Sequence, residues 1–564
     1  MHGRPVQQDL GETSPSNPNR WRILGVLVLA LLVTSIDHTI INVALPQMVS
    51  DLDASAAHLQ WIVAAYTVVF AGLLLTAGSL GDRFGRRHAL AAGLATFTAG
   101  SVLSALAGTT TQVIAGRGVM GVGGALIMPT TLSILVNAFG DPRERARAIA
   151  IWTAVAGAGI ALGPIVGGFL MRSHSWSSVF WINVPLLTVA FLGTLHVVPD
   201  SKDPHATRLD PVGAIASTVA VGTLVYAIID GPERGWTSPS TLMTFMVVAM
   251  AGVMFVRWEL RRDEPMLDMR LFANRSFSAG SVALAMLFFA MAGTVFLQAQ
   301  YLQFILGYTP LAAGVALVPA AIGMILGTGI GAHLAGQFGG RIAVTFGTLA
   351  AAAGVAVQAT FVEGTSYTPT GVGLVLFGLG AGIAMPAATE LIMSTLPPAR
   401  AGVGSAVNDT VRELGGALGV AVIGSVAAST YASNLNGQID HLPEDVRAVV
   451  TDNIGAALTV SGHLGADGTQ LADAAREAFV TSMTSSLWVG VALAAVATVI
   501  TWTRLPKQAP AHGHAAHGHA AHGHAAHGHA AHGHAAHGHA AHTPQPTATT
   551  ATNEVALPTI ASPS

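Results

Sequence analysis

Stretches of about twenty apolar residues recur along the whole chain, and this recurrence restricts the possible fold more than any other feature. A helix needs roughly 20 apolar residues to cross a hydrocarbon core about 30 Å thick. Lipid offers the backbone no hydrogen-bonding partners, so segments of this length cross a membrane as helices. We predict fourteen such helices, near residues 23–45, 59–80, 88–108, 113–136, 146–170, 177–197, 211–229, 242–258, 277–302, 310–333, 342–361, 370–394, 403–432 and 483–502.

The composition agrees with an all-helical membrane protein. Of the 564 residues, 51% are hydrophobic and 10% are charged, whereas roughly 25% are charged in soluble domains. The net charge of −3 gives no basic character that would indicate nucleic-acid binding. The expected partner is the lipid bilayer, because of the apolar runs. Cysteine is absent, which excludes disulfides and thiolate sites. The first apolar run lacks a small-residue cleavage site and is interpreted as an uncleaved span.

Arginine and lysine are concentrated in alternate connections between the predicted helices, for example in residues 83–87, 143–147 and 257–275. We expect the protein to lie in the inner, cytoplasmic membrane. The positive-inside rule places these connections, and both termini, on the cytoplasmic side. Termini on the same side require an even number of spans, which agrees with fourteen.

One long connection, at about 433–481, is acidic and would lie outside the cell. Its stretches 440–460 and 471–479 have weak helical periodicity, which predicts short surface helices there.

A ten-residue polar segment separates the second and third apolar runs, and it reads GSLGDRFGRR from residue 78. Glycine allows a tight turn at the membrane surface. The segment resembles the signature loop between the second and third helices of the major facilitator superfamily; the alternative is a solvated basic loop of an unrelated membrane protein. The resemblance implies a conformational gate, with Asp409 and Arg412 of the thirteenth span as partners or as a separate structural ion pair. The loop residues assigned to this gate are Gly78, Asp82, Arg83, Gly85, Arg86 and Arg87.

Residues 335–341, after the tenth apolar run, are a degraded copy of residues 81–87 in which Gly336 replaces the acid. This internal repeat predicts a major facilitator fold: two six-helix bundles plus two inserted helices, about 14 transmembrane helices in all. The predicted parts are an N-terminal tail (1–20), a first bundle (21–200), two inserted helices (201–262), a second bundle (263–505) and a disordered C-terminal tail (506–564).

The first span contains a carboxylate, Asp37, within a long apolar sequence. An acid inside a membrane is costly and is usually functional, so Asp37 is a candidate proton site. The alternative is a structural hydrogen bond to Asn42 or another neighbour. The surrounding string, from Leu32 to Pro46, resembles the fourteen-span drug:proton antiporter branch of the superfamily.

Arg117 stands near the start of the fourth span, within a Gly-rich string that resembles the family's Arg-x-x-x-Gly-x-Gly motif. The resemblance implies a role in proton transfer. A guanidinium cannot lose its charge, so it needs a carboxylate, a carbonyl or water when buried. A snorkelling anchor at the membrane interface is the alternative.

The fifth span carries small residues at helical spacing around a proline, and the sequence Gly-Pro-x-x-Gly-Gly resembles the motif of exporters that operate as antiporters. Small residues also allow close helix packing, and a role in packing alone would not distinguish export from uptake. The residues assigned to this motif are Gly157, Gly163, Pro164, Gly167 and Gly168.

Glu390, in the twelfth predicted span, is a second candidate for proton or cation recognition. Several neutral polar residues either line a cavity or serve ordinary helix packing. They are Gln60, Tyr66, Gln298, Tyr301 and Gln303.

The C-terminal tail repeats His-Gly-His-Ala-Ala and places thirteen histidines between residues 512 and 542. Such a tract binds Zn, Ni or Cu ions, or else is a linker without a selected role. The candidate ligands begin with His512, His514, His517, His519, His522 and His524.

The predicted function is proton-coupled export of amphiphilic, drug-like compounds by a secondary transporter. A dedicated exporter of a self-made metabolite or antibiotic uses the same fold, and a metal-responsive membrane protein acting through its tail is a further alternative. No catalytic residues and no Walker-type phosphate loop are apparent, so we expect neither an enzyme nor a resident cofactor. The partners are small molecules and protons. No sequence feature fixes the oligomeric state, and a monomer is the expectation.

Overall fold

A computed structural model describes residues 18–202, 210–263, 265–396, 401–440, 442–464 and 466–505. Within these ranges the chain forms helices and no strand, and fourteen helices are long and apolar enough to cross a membrane, which confirms the predicted number. The main helices of these spans are α1 (Arg20–Leu52), α2 (Ala56–Phe84), α3 (Arg86–Ala105), α4 (Thr110–Ala138), α5 (Pro142–Leu170), α6 (Asn183–Val197), α7 (Pro211–Ile229), α8 (Pro239–Arg261), α9 (Arg275–Gln300), α10 (Val318–Phe338), α11 (Gly340–Gln358), α12 (Tyr367–Met393), α13 (Ala401–Asn436) and α14 (Ala466–Arg504). The sixth, ninth and tenth spans also include an adjoining short helix.

The first and last six of these helices form the two expected bundles, and α7 and α8 are the inserted pair. Helix α7 packs against α2 and α13, so it contacts both bundles. Val68, Val225 and Ala417 meet there in one buried apolar cluster. The inserted pair therefore covers one side of the junction between the bundles.

Two ends of the helical body differ in chemistry. The basic face holds the α2–α3 turn and the start of α5, with Arg83, Arg86, Arg87 and Arg143. The loop face lies at the other ends of the helices and carries the connection between α13 and α14.

Short helices continue or connect the spans. The segment Tyr301–Ile305, a π-helix, continues α9, and Pro310–Ala316 precedes α10. Ser178–Trp181 precedes α6, Gly231–Arg234 joins α7 to α8, and Met269–Ala273 precedes α9.

The α13–α14 connection contains helices Glu444–Val450 and Ile454–His463, as the sequence predicted for this region. The prediction of a separate surface helix at 471–479 was wrong, because α14 already begins at Ala466. Leu471, Ala475 and Phe479 recur every four residues and are buried, and this stripe continues the packed face of the span. The histidine tract lies outside the described residues.

The internal repeat has a structural counterpart at two glycines. Gly85 joins α2 to α3 with a φ of 110°, and Gly339 joins α10 to α11 with a φ of 88°. Both angles lie in the region that favours glycine over other residues. The two bundles therefore make the same turn at the same place in their helix order, although the acid of the first copy is missing from the second.

Candidate functional site

A cavity of about 150 Å³ lies between the two bundles. Its wall comes from α1, α2 and α5 of the first bundle and from α9, α10, α12 and α13 of the second. Within the described part of the chain, the wall contains no carboxylate, lysine or arginine. Its polar lining residues are His38, Thr39, Asn42, Thr67 and Thr294. A mostly apolar wall with a few polar groups is typical of sites for small organic molecules.

A buried ion pair lies in the first bundle. Arg117 Nη1 donates a hydrogen bond of 2.6 Å to Asp37 Oδ2, and each side chain is only 1% exposed. Arg117 Nε also donates to the carbonyl oxygen of Ile62 at 3.0 Å. Arg117 is therefore not a snorkelling anchor, because its charged group is enclosed and paired.

Two further side chains complete the surroundings of this pair. Asn183, the first residue of α6, donates to Asp37 Oδ1 at 2.8 Å and to Ser101 Oγ at 3.3 Å. The guanidinium of Arg117 lies 4.5 Å from the centre of the Tyr66 ring, a distance at which a cation is attracted to an aromatic face. The sequence suggested Asn42 as the partner of Asp37, but Asn42 instead donates to the Thr39 carbonyl.

The ion pair lies directly behind the cavity wall. His38 lines the cavity, while its neighbour Asp37 points into the bundle towards Arg117. The His38 and Tyr66 rings are 6.0 Å apart and nearly perpendicular. Adjacent residues of α1 thus face the cavity and the ion pair.

Helices α1 and α5 pack at very close range through the glycines of α5. A Cβ atom at Gly163 would lie 2.1 Å from Thr39 Oγ1, and one at Gly167 would lie 2.7 Å from Ile40 Cγ1. Gly157 differs, because a Cβ there would have no neighbour within 4 Å. The expected close packing is therefore absent at Gly157.

The cavity is sealed at the loop face. A Cβ at Gly168 would lie 2.5 Å from Leu311 Cα, and a Cβ at Gly314 would lie 2.2 Å from the Pro164 carbonyl oxygen. Gln303 Nε2 of the second bundle donates to the Val43 carbonyl of the first at 3.1 Å. Backbone contact of this kind leaves no passage between α5 and the 310–316 helix.

The α13–α14 connection adds a strap over the same face. Asp452 accepts a hydrogen bond from the Ala56 amide at 3.3 Å, and Asn453 Nδ2 donates to the Ala54 carbonyl at 3.2 Å. A Cβ at Gly455 would touch Val49 of α1. Burial raises the pKa of the Asp452 carboxyl above its usual range, although the bonds from Asn453 and Ala56 oppose this shift.

The α2–α3 turn docks on its own bundle. Asp82 Oδ1 accepts from Arg86 Nε at 2.8 Å, and Arg87 donates to the Leu195 carbonyl oxygen. Arg83 is exposed and lies over the Phe84 ring. A Cβ at Gly85 would lie 2.6 Å from Asp200 Oδ1, whereas Gly78 has more room.

The structure places the predicted acids of the second bundle differently. Glu390 was expected in the middle of a span, but it is exposed in the last turn of α12 at the basic face. Helix α12 ends at Met393, so Glu390 lies only three residues from the end of the span. In α13, Arg412 Nη1 lies 3.4 Å from Asp409 Oδ1 and its guanidinium lies over the Phe288 ring.

Glu413, one residue further along α13, is an ionisable residue of the same predicted span that was assigned no role from the sequence. Its Oε2 atom is buried and has no hydrogen-bond partner among the described residues. The i, i+4 spacing to Asp409 showed only that both acids share a helix face. The enclosure of that oxygen depends on the neighbouring helices.

The neutral polar residues have several different positions, and none of the five lines the large cavity. Gln60 lines a smaller cavity beside Asp452, and Tyr66 contacts Arg117. Tyr301 donates to the Thr365 carbonyl, and Gln303 makes the bond to Val43 described above. Gln298 is fully buried, and neither polar atom of its amide has a partner in the part of the chain that the structure describes.

Among the described residues, no group of histidine, cysteine, aspartate and glutamate side chains is arranged to hold a metal ion. The histidines assigned to metal binding, from His512 onwards, lie outside those residues.

The fold and the buried site together define a membrane transporter with two bundles around a central cavity. The sequence model of the Major Facilitator Superfamily matches residues 27–420, and the chain belongs to this superfamily. The multidrug efflux pump LfrA of Mycolicibacterium smegmatis is 36% identical over 474 residues, which are 83% of this chain and 94% of that protein. The tetracenomycin C resistance and export protein of Streptomyces glaucescens is 33% identical over 410 residues, covering 72% and 76%.

A solved structure gives the same fold. The bacterial homologue of the human lysosomal transporter Spinster aligns with a TM-score of 0.62 at 19% identity, over 88% of this chain and all of that one.

Proposed function

We propose that the protein is a proton-coupled antiporter that exports amphiphilic, drug-like compounds across the cytoplasmic membrane. The observation that carries the proposal is the position of the Asp37–Arg117 pair, one residue behind the wall of a large apolar cavity. The efflux and resistance proteins that resemble this chain over most of their length support the same function.

The cavity suits an amphiphilic molecule because its wall is mostly aliphatic and aromatic. Phe377, Met291 and Met324 are part of this wall. Methionine side chains adapt to ligands of different shape. A wall with adaptable apolar side chains and no fixed charge accepts many substrates rather than one.

The ion pair supplies a site at which a proton alters helix packing. A proton on Asp37 removes the negative charge that holds Arg117, and the arginine then needs another acceptor. Asp37 lies on α1 and Arg117 on α4, so loss of the bond frees these helices to move relative to each other. Because α1 also lines the cavity and packs against α5, this movement changes the shape of the site.

We assign the basic face to the cytoplasm, since short cytoplasmic connections are rich in arginine and lysine. The tight seal at the loop face then makes this conformation one in which substrate enters from the cytoplasmic side. Export requires that the seal around Gly168, Gly314 and Gln303 opens while the basic face closes.

Closure of the basic face is the role we assign to the α2–α3 turn. In the present conformation Asp82 binds Arg86 of the same turn. On closure, Asp82 and its arginines exchange these local bonds for charge-assisted bonds to the second bundle, where Asp409 and Arg412 lie on α13. Glu390 stays a candidate for cation recognition at the entrance, because it is exposed on this face.

Transport by purified protein in vesicles tests the proposal. Full-length protein is reconstituted, and the compartment that the loop face contacts is made acidic. Uptake or loss of ethidium is then followed by fluorescence. We expect drug movement against its gradient and proton movement in the opposite direction, both lost when an ionophore collapses the pH gradient. Drug movement that is indifferent to the ionophore contradicts proton coupling.

Dedicated export of one metabolite is the second candidate, favoured by the similarity to a tetracenomycin C resistance and export protein. A growth-inhibition panel separates the two. Broad protection against unrelated compounds supports multidrug efflux, and protection against a single chemical class supports the dedicated exporter.

A further inference from the structure

The cavity wall contains polar side chains in two different states. The two threonines of the first-bundle wall already have partners: Thr39 donates to the Ile160 carbonyl at 3.0 Å and Thr67 donates to the Val63 carbonyl at 3.3 Å. In the second bundle, Thr294 lines the cavity and its buried hydroxyl has no partner among the described residues. Open hydrogen-bonding capacity is therefore found on the α9 side of the wall.

Gln298 extends this open capacity by one helical turn. Residues four apart lie on the same side of a helix, so Gln298 follows Thr294 towards the loop face. Its side chain is 0% exposed. Within the described ranges it is the only amide side chain whose nitrogen and oxygen are both buried and both lack partners.

Keeping such an amide buried is unfavourable in the empty protein. Enclosing an amide without hydrogen bonds costs free energy that an isosteric apolar side chain would not cost. The helix also becomes a π-helix at Tyr301–Ile305, three residues beyond Gln298, and π-segments are frequently found at functional sites. The presence of an amide that destabilises the protein is explained if a ligand supplies its missing hydrogen-bond partners.

We propose that Thr294 and Gln298 form a hydrogen-bonding subsite for a neutral polar group of the transported molecule. Because the amide offers both a donor and an acceptor, the subsite takes a hydroxyl, a carbonyl or a carboxamide rather than a bare cation. Thr294 lies in the cavity wall, and Gln298 is buried one turn beyond it towards the loop face. The polar group of the substrate therefore reaches Gln298 as the loop face opens, and it leads on the way out. This inference rests on the proposed export function and adds a substrate class to it.

The test compares two probes in vesicles that contain the full-length protein. Tetraphenylphosphonium has no hydrogen-bonding group, whereas tetracenomycin C has several hydroxyl and carbonyl groups. For Gln298→Leu we expect the KM for tetracenomycin C to rise about tenfold, because the site loses both hydrogen-bonding atoms, while the KM for tetraphenylphosphonium stays within about twofold. Thr294→Val should also raise the KM for tetracenomycin C.

Thermal unfolding of the ligand-free protein gives a second, independent measurement. Gln298→Leu should raise the Tm, because it replaces an unpaired buried amide by an apolar group of similar size. Gln358→Leu is the matched control. Gln358 is also 0% exposed and its amide oxygen also lacks a partner among the described residues, but its nitrogen donates to the Gly354 carbonyl and it lies on α11, away from Thr294. Its substitution should lower the Tm and leave the ratio of the two KM values unchanged.

The subsite is overturned if Gln298→Leu lowers the Tm, or if it changes both probes equally or neither. Binding is measured separately, as the Tm increase that each probe causes. If the wild type binds tetracenomycin C through Gln298 but transports neither probe, the export function fails and the subsite stands. A binding shift that is the same in wild type and Gln298→Leu overturns the subsite whatever the transport result.

Discussion

The guanidinium of Arg117 and the carboxylate of Asp37 form a 2.6 Å hydrogen bond between helices α1 and α4, although the two residues are 80 positions apart. Neither side chain is exposed to solvent or to the cavity. The bond holds two helices of one bundle together at the depth of the cavity. We therefore infer that proton binding to Asp37 breaks this bond and so allows α1 and α4 to move.

We expect Asp37→Asn to abolish proton-driven efflux. The amide cannot carry the coupling charge, and Arg117 is left as a buried, uncompensated cation at a cost of about 3–5 kcal/mol. Substrate exchange without a pH gradient should persist, which separates loss of coupling from misfolding. The double variant Asp37→Asn/Arg117→Gln removes both charges and should recover stability but not coupling. Efflux by Asp37→Asn at the wild-type rate under a measured pH gradient rules the proton site out.

We expect Asp82→Asn to hold the basic face open for longer. The chain has no cysteine, so a single cysteine at Ala381, in the cavity wall, can be labelled from the basic face without background. Loss of one charge-assisted bond in the closed state, worth about 1–2 kcal/mol, should speed labelling several-fold. Arg143→Gln is the control, because Arg143 is exposed on the same face but lies outside the α2–α3 turn. Equal labelling rates in wild type and Asp82→Asn argue against the gate.

We expect Gly163→Ala to destabilise the protein and to reduce transport. The added methyl would lie 2.1 Å from Thr39 Oγ1, so α1 and α5 must separate, and overpacking of this kind costs about 1–3 kcal/mol. Gly157→Ala on the same helix is the matched control, because it meets no neighbouring atom. Tm and transport rate are measured for both. Equal effects of the two substitutions would show that the close approach of α1 and α5 is unimportant.

The strap over the loop face should respond to pH through Asp452. Because its pKa is raised by burial, the folded form binds a proton more tightly than an unfolded chain does. The sign follows from linkage: the strap is most stable at low pH and loses stability as pH rises above about 4, the ordinary value for aspartate, towards the raised value. Hydrogen exchange of residues 444–463 should therefore quicken over this interval.

Asp452→Asn should remove that pH dependence and keep the exchange slow at neutral pH. Asp445→Asn is a control in the same connection, since the pKa shift of Asp452 involves no contribution from it. The same slope in wild type and Asp452→Asn would contradict the assignment.

Deletion of residues 511–564 should leave efflux of organic compounds nearly intact, because the helical body and its cavity are complete without them. Zn or Ni binding, measured by calorimetry, should disappear with the tail. In the full chain, affinity should fall as pH drops below about 6.5, because neutral imidazoles are the ligands. Loss of transport at unchanged expression, or a metal response of transport that needs the tail, would instead favour the metal-responsive alternative.

The number, order and approximate limits of the fourteen spans followed from the sequence, because the length of an apolar run is set by the thickness of the bilayer. The buried acid in α1 was also visible, since a carboxylate in an apolar helix is rare. The repeat of the α2–α3 turn at Gly339 needed only a comparison of two sequence segments.

The tertiary structure decided which residues meet. Sequence spacing places Gly157 and Gly163 on one helix, but only the rotation of α5 against α1 decides that Gly163 is in contact and Gly157 is not. The exposure of Glu390 depends on the neighbouring helices, whereas the end of α12 at Met393 agrees with the limit predicted from the sequence. The partner of Asp37 and the lack of hydrogen-bond partners around the Gln298 amide, among the described residues, depend on the packing of helices that are far apart in the chain. Apolar periodicity contains no information about that packing.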